Sequence, residues 1–205
     1  LVTSQGDMPP VTLSLQEGAV VERRHRLVTA TPEQVYRVFA GLGGQRGWLY
    51  ANWAWSLRGA LDRLVGGVGL RRGRRHPNEV YTGDVVDFWL VEKVIPGRLL
   101  RLRAEMRLPG RAWLEFQAYG QPDGRTRLVQ NACFVPKGLL GYLYWYLLYP
   151  PHAMIFSGLI REIAWRAQGA AYPMPGTQSG IASHEAQHTA VSTPEASAQQ
   201  ERKQQ

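Results

Sequence analysis

Residues 100–108 read Leu-Arg-Leu-Arg-Ala-Glu-Met-Arg-Leu. Leu100, Leu102, Ala104, Met106 and Leu108 fall on one phase, and Arg101, Arg103, Glu105 and Arg107 on the other. A period of two is the mark of a strand with one face buried and one face wet. Pro109-Gly110 makes the next turn, residues 111–119 read as the following strand, and Pro122-Asp123-Gly124 is a strong turn signal before another strand at 125–135. Turns this short imply antiparallel pairing, because parallel strands need long crossovers. Upstream, residues 85–95 form a more apolar strand closed by Pro96-Gly97, and residues 22–30 a first strand.

Helices flank this sheet. Thr31 can cap, Pro32 suits the first helical position and Gln34 can close a capping box, with Val35, Val38, Phe39 and Leu42 following at helical spacing. A second helix is expected at 54–65, stopped by Gly66-Gly67. Residues 139–160 contain no Asp, Glu, Lys or Arg. About 20 such residues would span a bilayer, but Pro150-Pro151 split the run and His152 and Ser157 interrupt it. The reading is two helices with a break at the prolines, the second reaching Ala167 or beyond and packed inside the sheet. The fold class is α+β, an antiparallel sheet wrapped around an apolar C-terminal helix. The domain runs over 22–171, after a lead-in at 1–21 and before a disordered tail at 172–205 rich in Pro, Ser, Thr, Ala, Gln and Gly.

The chain has 205 residues, 44% hydrophobic and 20% charged, enough for one domain with a substantial core. A net charge of +8, mostly from arginine, favours anionic partners, with a solvated arginine surface as the plainer reading. The single cysteine, Cys133, excludes an internal disulfide and fits a reducing, cytoplasmic setting. No basic-then-apolar leader is visible, and a start at Leu1 rather than Met suggests a piece of a longer polypeptide.

Several strings occur together and in order. They are Gly44-Gln45-Arg46-Gly47-Trp48, the run 61–69 (Leu-Asp-Arg-Leu-Val-Gly-Gly-Val-Gly), Arg71-Arg72-Gly73-Arg74-Arg75, and the run 83–89 (Gly-Asp-Val-Val-Asp-Phe-Trp). Residues 105–114 (Glu-Met-Arg-Leu-Pro-Gly-Arg-Ala-Trp-Leu) and Tyr144-Trp145 ahead of Pro151-His152 complete the set. The ensemble resembles the bacterial family called domain of unknown function 2867, over roughly residues 22–167. Ala60 and Leu90 depart mildly from it, standing where bulkier or charged residues are expected. The resemblance implies a helix-grip fold like that of the START-like SRPBCC and polyketide-cyclase superfamily. It also implies a neighbouring NAD(P)-binding domain of the short-chain-dehydrogenase type as a partner. It implies no activity.

The expected function is a binding module for a hydrophobic or amphipathic small molecule, held by Trp48, Trp53, Asp87, Trp89, Tyr144 and His152. Apolar rings with a few polar tips are the usual lining of such sites, though the same rings can simply fill a core. The alternatives are a cyclase or hydratase using His152 and Asp87 for acid–base chemistry, or an interaction module without a pocket. Asp87 in an apolar strand needs a partner, for which Arg111 is a candidate. Arg71, Arg72, Arg74 and Arg75 form a candidate anion site, since guanidinium groups pair well with phosphate or carboxylate. Gly67-Val68-Gly69 lacks the strand–loop–helix context of a dinucleotide loop and reads as a helix stop. His184-Glu185-Ala186-Gln187-His188 matches a zinc-protease string in letters only, in a segment with no core to hold a helix. No metal or cofactor, and no nucleic-acid or membrane partner, is expected, and the oligomeric state is open.

Overall fold

The computed structural model describes residues 11–16, 18–69 and 79–171. Seven strands form one antiparallel sheet: β1 (Val11–Gln16), β2 (Ala19–Val28), β3 (Val85–Val86), β4 (Trp89–Ile95), β5 (Leu99–Ala104), β6 (Gly110–Gly120) and β7 (Thr126–Pro136). Their spatial order is β1-β2-β7-β6-β5-β4-β3, so β2 pairs across the sheet with the last strand. Three helices accompany them: α1 (Pro32–Ala40), α2 (Asn52–Leu64) and α3 (Gly138–Ala171). α3 lies against β2 and β7 and beside α1, while α1 covers β6. This is a helix-grip arrangement, with the inner sheet face closed on the C-terminal helix.

The alternation at 100–108 produces β5, with Leu100 and Leu102 buried and Arg101 and Arg103 exposed. The strand stops at Ala104, four residues short of the alternating pattern. Beyond it the Arg107 N–H donates to Asp62 Oδ1 of α2 at 2.8 Å, which takes the chain off the sheet. The capping box of α1 forms as its residues require: Gln34 N–H donates to Thr31 Oγ1 and Thr31 N–H to Gln34 Oε1.

Four expectations are corrected. Residues 11–16, placed in the lead-in, are edge strand β1, pairing with β2 from Val11 opposite Arg24 to Gln16 opposite Ala19. The strand at 85–95 is two strands, β3 and β4, parted at Asp87, whose φ of 56° is left-handed. The break at Pro150-Pro151 is absent, and α3 runs through both prolines. Its N-terminal part is also not enclosed by the sheet: Leu139, Leu140, Leu143, Tyr146 and Leu147 are exposed. The tail at 172–205, with its His184–His188 string, and Arg71, Arg72, Arg74 and Arg75 lie outside the described residues.

Candidate functional site

The inner face of the sheet carries two separate apolar clusters. The larger joins Val28, Leu128, Phe116 and Leu102 of the sheet to Phe39 of α1, Trp55 of α2, and Phe156, Leu159 and Ile163 of α3. The smaller gathers Val20, Phe134 and Trp145, with Ala112, Tyr144 and Tyr149 against it. Strand register fixes what lies between them. Val20 sits opposite Phe134 at one end of the β2–β7 ladder and Val28 opposite Thr126 at the other. On the same inward phase between those ends come Glu22, opposite Ala132, and Arg24, opposite Gln130. A polar seam thus separates two greasy blocks.

α3 closes the seam. Arg24 Nη1 donates to Ser157 Oγ at 2.6 Å, and Arg24 Nη2 pairs with Glu22 Oε1. His152 stands where the blocks meet, its ring stacked on Phe156 of one (5.5 Å, 13°) and 6.5 Å from Trp145 of the other. Glu22, Arg24 and Gln130 are buried, yet among the described residues Glu22 Oε2, Arg24 Nε, both amide atoms of Gln130 and His152 Nδ1 have no hydrogen-bond partner. Polar atoms buried this way each cost about 1–3 kcal/mol, so native proteins rarely leave several together. Burial raises the Glu22 carboxyl above its ordinary value against the pull of Arg24, and burial with the Arg58 charge lowers His152 to about 4. The imidazole is therefore neutral at physiological pH. Beside it Arg58 Nη2 of α2 donates to the Tyr144 hydroxyl at 2.7 Å, with its guanidinium 5.6 Å from the ring centre. A hollow of about 210 Å³ opens onto the seam between β2 and α3, where Arg24 and Ser157 meet Arg26, Ile160 and Arg161.

The predicted ligand-holding residues divide. His152 and Tyr144 belong to the seam and its edge. Trp48, Trp89 and Asp87 do not: Trp48 stacks on Trp55 at 4.5 Å and lies 6.0 Å from Trp89, all three buried. Asp87 accepts the Trp48 Nε1–H at 2.8 Å, so an indole rather than Arg111 meets the carboxylate, while Arg111 is exposed on β6. These rings pack on one another within the core, and Trp89 Nε1 is likewise buried without a hydrogen-bond partner among the described residues. Trp53 points outward, 67% exposed. His152 and Asp87 stand at opposite ends of a run of rings through Phe156, Trp55 and Trp48, not around one space. Gly67-Val68-Gly69 is a helix stop with a purpose. Asp62, buried in α2, accepts the N–H groups of Gly69 and Arg107, and a Cβ at Gly67 would lie 2.2 Å from that carboxylate.

Residues 16–159 match the family described as "Protein of unknown function (DUF2867)". The chain belongs to that family. No curated protein matches this chain. Among solved structures the chain is similar to the Zhui aromatase/cyclase from Streptomyces sp. R1128, at 16% identity over 77% of this chain and 99% of that one, with a TM-score of 0.48. It is also similar to protein Ms6760 from Mycobacterium smegmatis, at 12% identity over 76% and 96% with a TM-score of 0.47. Truncated norcoclaurine synthase from Thalictrum flavum matches at 10% identity over 82% and 98% with a TM-score of 0.45.

Glu22, Arg24, Gln130, Ser157 and Arg58 were not among the residues singled out from sequence. Gln130 had a signal: it interrupts the apolar phase Leu128, Ala132, Phe134 of β7. Glu22 and Arg24 had none, because both phases of β2 carry charged residues.

Proposed function

We propose that this domain is a binding module for a small amphipathic molecule, held in the seam between β2, β7 and α3. The observation that supports it is the row of buried, unpartnered polar atoms on Glu22, Arg24, Gln130 and His152 between two apolar clusters. A ligand with an apolar body and a few donors and acceptors satisfies both characters of such a site. The basic hollow beside Arg24, Arg26 and Arg161 is its route of entry. Acid–base chemistry by His152 with Asp87 finds no support, because the two do not converge and, among the described residues, no carboxylate meets the imidazole.

Gln130→Leu tests the reading. Leu removes both unpartnered amide atoms at similar volume, so the ligand-free variant gains stability while binding is lost. Titration with an amphipathic fluorescent probe should show at least tenfold weaker binding, alongside an equal or higher melting temperature. Native mass spectrometry of wild-type protein purified from its own cells should find a retained small molecule that Gln130→Leu protein lacks. A variant that binds the probe as wild type does, or that melts markedly lower, would sink the proposal.

A further inference from the structure

Two helices each carry an exposed apolar stripe. On α3 it consists of Leu139 (84% exposed), Leu140 (72%), Leu143 (62%), Tyr146 (70%) and Leu147 (73%). On α2 Trp53, Leu57, Leu61 and Leu64 follow at helical spacing, with Leu64 82% exposed. The Arg58–Tyr144 hydrogen bond joins the helices. Leu61 stands one turn from Arg58, and Leu140 and Leu147 one turn either side of Tyr144, so residues of both stripes flank that bond. Soluble surfaces rarely leave apolar side chains contiguous on this scale without something to cover them.

Charge selects the occupant. Asp62 is the one acid of α2 and is buried, and the first acid of α3 is Glu162, far along the helix. The rim is basic: Arg63 in the last turn of α2, Arg107 with its guanidinium 3.7 Å from a Cβ at Gly66, and Lys137 immediately before α3. A second copy docked by two-fold symmetry would set this basic rim against itself. An anionic lipid surface meets both demands, taking leucines, Trp53 and the tyrosines at the level of the headgroups and pairing the rim with phosphates.

We propose that the α2–α3 face is a peripheral docking surface for anionic membranes. The domain lies on the bilayer and does not cross it, in keeping with the absence of any long enough apolar helix among the described residues. The inference is independent of the internal seam.

Co-sedimentation of the full chain with vesicles tests it. Protein should pellet with vesicles of phosphatidylcholine and phosphatidylglycerol in equal parts, at least tenfold more than with phosphatidylcholine alone, and release as salt rises. Leu140→Glu/Leu147→Glu and Arg63→Glu/Lys137→Glu should each cut binding at least tenfold with unchanged melting temperature and unchanged probe binding at the seam. Wild-type protein that stays in the supernatant, or that binds both vesicles equally, overturns the proposal. So does a dimer by light scattering that Leu140→Glu/Leu147→Glu dissociates, since a second copy would then own the face.

Discussion

Burial and the positive charge of Arg58 hold His152 at about 4, below the ordinary 6.5. Between those values the unfolded chain takes up a proton that the folded chain refuses, so stability falls as pH drops through that window and levels off below about 4. The full shift corresponds to about 3 kcal/mol. Glu22 works the other way: its raised pKa stabilises the fold at low pH and that contribution is lost as pH rises above 4.5 through the folded value. His152→Phe separates the two, since it keeps a ring stacked on Phe156 beside Trp145 and removes the titration. Melting temperatures from pH 7 to 4.5 should fall less steeply in the variant than in wild type, and equal slopes would remove His152 as the source. At this scale the sequence was half legible. A histidine sharing a face with Phe156 could be read from spacing, but whether Trp48 and Trp89 line a space or fill one depends on ring packing, which letters do not encode.

Among elements, the join between α2 and the sheet rests on Asp62. Its carboxylate accepts two backbone N–H groups, from Gly69 and Arg107, and so closes the helix end and redirects the chain after β5. Gly67→Ala would drive a methyl into that carboxylate and should cost about 2–3 kcal/mol by chemical denaturation; a cost below about 0.5 kcal/mol would show the carboxylate to be free to move. α3 poses the converse problem. Pro150 and Pro151 remove the N–H groups that would bond the carbonyls of Tyr146 and Leu147, yet the helix continues. Both carbonyl-bearing residues are exposed, so water can serve the freed oxygens. Packing on either side holds the axis, with Trp145 stacked on Phe134 before the prolines and Gly158 pressed against Tyr50 after them. Pro150→Ala/Pro151→Ala should therefore raise stability by about 2 kcal/mol or more, and a lower melting temperature would mean that packing requires the prolines' own geometry. Strands and caps were legible because period and capping are local; the unbroken α3 was not, because tertiary contacts overrode a local rule.

Across the whole molecule, the sheet separates two kinds of polarity. Its outer face satisfies its polar groups within itself: Arg101 meets Glu115, Asn131 donates to Glu115, and Arg23 donates to Asn131. The inner seam leaves its own unsatisfied, at the line where α3 is gripped. On the proposed reading, such a division makes the grip depend on an occupant. A molecule that bridges Gln130 and His152 ties β7 to α3 and adds stability by mass action, about 2.7 kcal/mol at a hundred times its dissociation constant. Protein stripped of its ligand by unfolding and refolding should therefore melt lower than protein as purified. Amide exchange should quicken at 152–160 of α3 and 128–132 of β7, and stay unchanged in β5 and β6. If instead exchange were identical in both preparations, or changed evenly over the domain, the seam would be a closed structural layer and the occupant would have to be sought elsewhere.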